Sequence, residues 1–173
     1  MSWSMLFTPP ASSSPMTPTN DDYRKQESEL DELYRDIILD HYRNPRHRGH
    51  LPKPTATKEG YNPLCGDEVT VELTVRDGVI EDVAYAGCGC SISQSSASMM
   101  TEAVQGKRLK DVKHLIETFT SVMRGSDDFD PDELGDLEAL TGVRKFPVRV
   151  KCATLAWHTL GDAMEEAERS PSS

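Results

Sequence analysis

Apolar residues recur along the first ordered-looking stretch at Leu30, Leu33, Tyr34, Ile37 and Ile38, with His41 continuing the stripe. The spacing i, i+3, i+4, i+7, i+8, i+11 predicts one face of an amphipathic helix. Asn44-Pro45 ends it, because the residue before a proline is pushed out of the helical region. Positions 46–60 carry two His, two Arg and two Pro without periodicity and read as an extended surface segment. Val69, Val71, Leu73 and Val75 then alternate with Thr70, Glu72, Thr74 and Arg76, the period of a half-buried strand. Asp77-Gly78 predicts a hairpin turn, with 79–86 as the return strand.

After Gly87 the texture changes to small residues, and Met99, Met100, Ala103 and Val104 suit a helix that Gly106 stops. A further helix is predicted from Leu109 to about Phe119, and a last one from about Arg149 to Ala167. That last helix buries Cys152, Leu155, Ala156, Thr159, Leu160 and Ala163 on one side and places Cys152 in its first turn. The expected organisation is an unstructured leader over 1–22, one domain over 23–167 and a fraying tail over 168–173.

Charge changes the picture in one place. The 173 residues carry 19 Lys+Arg against 29 Asp+Glu, a formal net charge of −10. Seven of the acids (Asp127, Asp128, Asp130, Asp132, Glu133, Asp136 and Glu138) fall in 125–140 without one basic residue, so most of the acidity is local. The alternation of Asp128, Asp130 and Asp132 fails as a calcium loop, having Glu133 where glycine is needed and Ala139 where glutamate is needed. A solvated face or docking surface is the better reading. The acidic balance disfavours a nucleic-acid partner, and no apolar run approaches the roughly 20 residues of a membrane span. The first charge is Asp21, which leaves the N-terminus without the basic region of a secretory signal, so the expected compartment is cytoplasmic.

In a reducing compartment, four cysteines at 65, 88, 90 and 152 point to metal ligands or nucleophiles before disulfides. Cys65 enters a strand, Cys90 stands at a strand-to-helix junction and Cys152 opens a helix, and helix N-termini favour thiolate. Asp67 follows Cys65 by two and shares its side if the segment is extended. Three thiolates and a carboxylate match a tetrahedral zinc site, and their crowded negative charge makes one ligand easier to displace. The alternative for any single one of them is a packed thiol acting as a small hydrophobe. Arg149, three residues before Cys152, is placed to stabilise a thiolate or to pair with Asp67. The five histidines read as packed, solvated or partner-facing; His41 extends an apolar stripe, with a secondary role beside the site as its other reading.

Four blocks in order carry a resemblance: LYRDIILDHYRNPRHRG at 33–49, NPLCGDEV at 62–69, GCSISQSSASMMTEAVQGK at 89–107 and VRVKCATLAWHTL at 148–160. Together they resemble the IscU-like (NifU N-terminal-like) family of iron–sulfur cluster assembly proteins over about residues 30–165. Within it the sequence is most similar to the SufU branch of zinc-dependent sulfurtransferases. Three features favour that branch over the cluster scaffolds. Lys145-Phe146-Pro147-Val148-Arg149 replaces a Leu-Pro-Pro-Val-Lys motif, Lys151 replaces a histidine before the last cysteine, and the acidic insertion near 118–140 is present.

The resemblance implies an α+β fold, a small antiparallel three-stranded sheet with helices packed on one face; the third strand is not evident from pattern. It implies one zinc ion on Cys65, Asp67, Cys90 and Cys152. It further implies that Cys65 accepts persulfide sulfur from a SufS-type cysteine desulfurase and serves a downstream SUF cluster-assembly complex. The alternatives are a scaffold assembling a cluster on the same ligands, a thiol–disulfide oxidoreductase using Cys88 and Cys90, and a structural zinc domain. Cys88 departs from the family's usual pattern and, if extended, points the same way as Cys90 as a competing ligand or disulfide partner.

Overall fold

The computed structural model describes residues 19–169, apart from the side chains at 23 and 26–30. The chain runs α1 (Asn20–Arg43), β1 (Ala56–Asn62), β2 (Asp67–Arg76), β3 (Val79–Cys88), α2 (Ser91–Val104), α3 (Leu109–Met123), α4 (Pro131–Leu134), a 3₁₀ helix (Gly135–Lys145) and α5 (Pro147–Arg169). Residues 1–18 and 170–173, most of the expected leader and tail, lie outside the described residues. Asn20, Asp21 and Asp22, assigned to that leader, instead form the first turn of α1. Thr19 Oγ1 accepts from the Asp22 N–H at 3.2 Å while the Asp22 carboxylate accepts from the Thr19 N–H at 2.9 Å, a reciprocal cap that starts the helix there.

The sheet is antiparallel in the order β1-β2-β3. Asp77 and Gly78 both adopt positive φ, 53° and 74°, as a type I′ hairpin between β2 and β3 demands. Val69, Val71 and Leu73 of β2, paired with Gly87, Tyr85 and Val83 of β3, form the buried face. Helices α2 and α5 lie on it. Trp157 of α5 fills the centre, stacked obliquely on Phe119 of α3 with ring centroids 4.7 Å apart.

Strand β1 stands where an unpatterned surface segment was expected. It is an edge strand pressed on α5, and Gly60 is the point of closest approach, where an added Cβ would collide with Thr159 and Leu155. The predicted helical stripe on α1 is half-buried at Tyr34, Ile37 and Ile38 and buried at His41, but Leu33 remains 54% exposed. The acidic stretch is folded. Leu134, Leu137, Leu140 and Val143 are buried at a strict spacing of three, the repeat of a 3₁₀ helix, which turns Asp136 and Glu138 outward.

Candidate metal and thiol centre

Three elements converge at one end of the sheet. The turn between β1 and β2 carries Cys65, the first residue of β2 is Asp67, Cys90 caps α2, and α5 supplies Cys152. Cys65 and Asp67 are brought together by a tight turn, not by an extended segment. Gly66 has φ +71° and its N–H bonds the Asn62 carbonyl at 2.8 Å. Ligand atoms of Cys65, Asp67 and Cys152 all lie within 4.8 Å of one another, and the Cys65 and Cys152 sulfurs are 3.2 Å apart. Cys65 is exposed, whereas Cys152 and Asp67 are fully buried.

Cys90 borders this trio. Its backbone N–H donates to Asp67 Oδ1 at 2.9 Å, and its sulfur caps α2 by accepting from the Ser93 N–H at 3.4 Å. That cap is the strand-to-helix junction expected for Cys90, with the helix N-terminus aimed at sulfur. Cys152 differs from expectation. Because α5 begins at Pro147, Cys152 occupies the second turn, away from the helix end, and burial, reinforced by nearby Asp67 and Cys65, pushes its thiol well above the usual value. Arg149 is exposed and close to the sulfurs; the charge of Cys90 foremost, then of Cys152 and Cys65, raises its guanidinium further.

Asp67 Oδ2 is buried and has no hydrogen-bond partner among the described residues. A buried, unpartnered carboxylate oxygen beside two sulfurs is costly unless something else uses its lone pairs. A zinc ion fits that need: soft thiolates and one carboxylate are its ordinary donors, at about 2.3 Å and 2.0–2.2 Å. Gly89 packs so close to Asp67 that a Cβ there would lie 2.5 Å from Oδ1.

One site residue escaped the sequence reading. Asn62 is buried, its Nδ2 donates to the Cys152 sulfur at 3.8 Å and its Oδ1 accepts from the Leu64 N–H at 3.2 Å, tying the Cys65 loop to α5. The available signal was an Asn-Pro pair just ahead of a cysteine loop. His41 is packed, bonded through Nδ1 to Ser98 Oγ at 2.9 Å and through Nε2 to Asp136 at 3.2 Å. It thereby anchors the acidic segment to α1. Cys88 is exposed at the end of β3 and is not among the residues grouped with Cys65, Asp67 and Cys152.

Comparison with known proteins agrees with the topology. The family model of the NifU-like N-terminal domain matches residues 33–153. The chain is 45% identical over 139 residues to the zinc-dependent sulfurtransferase SufU of Bacillus subtilis (strain 168), covering 79% of this chain and 94% of that one. It is 41% identical over 140 residues to the iron–sulfur cluster assembly scaffold protein IscU of Streptococcus pyogenes serotype M1, covering 81% and 87%. A crystal structure from Fervidobacterium islandicum AW-1, described as an iron–sulfur cluster assembly scaffold protein for the SUF system, superposes with a TM-score of 0.71 at 33% identity, covering 75% and 94%.

Proposed function

The chain belongs to the family of the NifU-like N-terminal domain, and from that premise we propose that it is a zinc-dependent sulfurtransferase. In this reading it accepts persulfide sulfur from a SufS-type cysteine desulfurase and delivers it to a SUF cluster-assembly complex in the cytoplasm. The observation that carries the reading is the pairing of an exposed thiol, Cys65, with a buried carboxylate oxygen and a buried thiol within 4.8 Å. One partner is built to leave and the other two to stay.

Cys65, Asp67, Cys90 and Cys152 would hold the zinc ion. Cys90, whose sulfur accepts the Ser93 N–H, would exchange that cap bond for the metal. Zinc supplies a Lewis acid that keeps the thiols deprotonated and shielded. Asp67 stays fixed by the Cys90 N–H, Asn62 steadies the Cys152 sulfur, and Arg149 offsets the gathered negative charge. Cys65, on an exposed turn, is the donor free to swing outward. Its thiolate then attacks the terminal sulfur of the partner's cysteine persulfide. A Cys65 S–S bond forms as the partner's S–S bond breaks, and the partner's cysteine leaves as thiolate.

Leu64 beside Cys65 is 64% exposed, and Phe146 and Val148 flanking the start of α5 are 62% and 59% exposed. Apolar side chains left in solvent around a nucleophile suit the docking of a protein partner. Mass spectrometry of the zinc-loaded chain after iron-free incubation with desulfurase and cysteine tests the reading. It should find one added sulfur atom on Cys65. An unmodified Cys65, with a coloured iron-bearing cluster formed when iron is supplied, would assign the scaffold role instead.

A further inference from the structure

On the α1 side of β3, Cys88 lies at the lip of a depression of about 330 Å³, lined by Tyr42, Arg48, Tyr85, Cys88, Gly89 and Gln94. Three observations distinguish it from an ordinary surface hollow. Gln94 is only 6% exposed and its Nε2 has no hydrogen-bond partner among the described residues, although it lines this cavity. A buried amide without an acceptor costs free energy that a bound carbonyl or carboxylate oxygen would recover. Arg48 is exposed, makes only a 3.5 Å bond to the Gly87 carbonyl and has no carboxylate partner among the described residues. Finally, Cys88 is a free, exposed thiol outside the Cys65, Asp67 and Cys152 group. Its ladder partner Glu68 lines a different depression with Tyr61 and Gly87.

A thiol, a guanidinium and an amide donor around a cavity of this size match one ligand chemistry, a small thiol that bears a carboxylate. We propose that the pocket is a thiolation site in which Cys88 forms a mixed disulfide with a carboxylate-bearing low-molecular-weight thiol. The ligand's carboxylate pairs with Arg48 and its carbonyl oxygen takes the Gln94 N–H. The oxidant is the corresponding low-molecular-weight disulfide. Cys88, having given its proton to solvent, attacks one of the two sulfurs. The Cys88 S–S bond forms as the small disulfide's bond breaks, and the departing half leaves as thiolate and takes up a proton. Cys88 is oxidised and one half of the small disulfide is reduced. Because Gly89 lies between this pocket and Asp67, the adduct sits beside the metal-competent cluster without consuming any of its donors.

The test uses the zinc-loaded full chain with anionic glutathione disulfide or cationic cystamine, read by intact mass and peptide mapping, with no desulfurase present. The expected product is a single adduct on Cys88, forming about tenfold faster with glutathione disulfide than with cystamine. That preference runs against the protein's net charge of −10, so it has to come from the groups of the pocket itself. Arg48→Ala should reduce the preference to the few-fold that Gln94 supplies, with zinc content unchanged, Gln94→Met should slow the anionic reaction several-fold while sparing cystamine, and Cys88→Ser should form no adduct. Faster reaction with cystamine, rates indifferent to both Arg48→Ala and Gln94→Met, or first modification at Cys65 would each overturn the proposal.

Discussion

Ser96 on α2 is a single hydroxyl that fastens the helix carrying Cys90 to the helix carrying Cys152. Its Oγ donates to the Ala153 carbonyl at 2.5 Å and accepts from the Trp157 indole N–H at 3.1 Å, and all three residues are buried. Ser96→Ala removes both bonds. The Ala153 carbonyl keeps its acceptor role within α5, so its loss is small, on the order of 0.5 kcal/mol. The indole N–H is left buried with no partner, at about 1–3 kcal/mol. Together these predict a loss of about 1.5–3.5 kcal/mol, or a fall in Tm of roughly 3–14 °C for a chain of this size. Urea titration of the metal-free protein is the assay, since metal binding would mask the difference by mass action. The midpoint should fall with the slope m unchanged. A loss below about 0.5 kcal/mol would refute the reasoning, since it would mean the buried indole finds water or another acceptor.

Other consequences follow from the same geometry. Gly89→Ala drives a Cβ onto Asp67 Oδ1 and should sharply reduce zinc retained after dialysis, while the far-ultraviolet dichroism stays near wild type. The Cys152 thiol is held above its usual value of 9.0, so the folded metal-free chain keeps a proton there that the unfolded chain has lost. Stability must therefore fall as pH rises through about 9, and Cys152→Ala should flatten that decline between pH 9 and 10 in denaturant titrations. Arg149→Ala removes the cation whose guanidinium is raised by its closeness to the Cys90 sulfur, so less zinc should be retained after dialysis; unchanged zinc retention removes Arg149 from the site.

What the sequence disclosed depended on whether one physical cause dominated each stretch. The β2–β3 hairpin was legible because alternation and an Asp-Gly turn agree, and α2 because Cys90 and Gly106 punctuate it. Strand β1 was hidden because an edge strand with buried residues only at its ends, Ala56 and Asn62, and a glycine at its tightest contact has no apolar alternation to read. The acidic segment concealed its folded state because its large buried residues, Leu134, Leu137, Leu140 and Val143, repeat every three positions, outside both the helical and the strand period. At the site, spacing could bring Cys65 and Asp67 together but for a different reason, the positive φ of Gly66 replacing an extended segment. Asn62 could not be read at all, since its role exists only once α5 lies across the Cys65 loop.

The most direct measurement of the central claim is cysteine-desulfurase turnover with and without the zinc-loaded chain, in the absence of iron. Strong stimulation, abolished by Cys65→Ala, is the predicted result, because an exposed thiol at the edge of a metal-competent cluster is proposed to take each sulfur as it forms. Turnover indifferent to the zinc-loaded chain, or stimulation that survives Cys65→Ala, would contradict it.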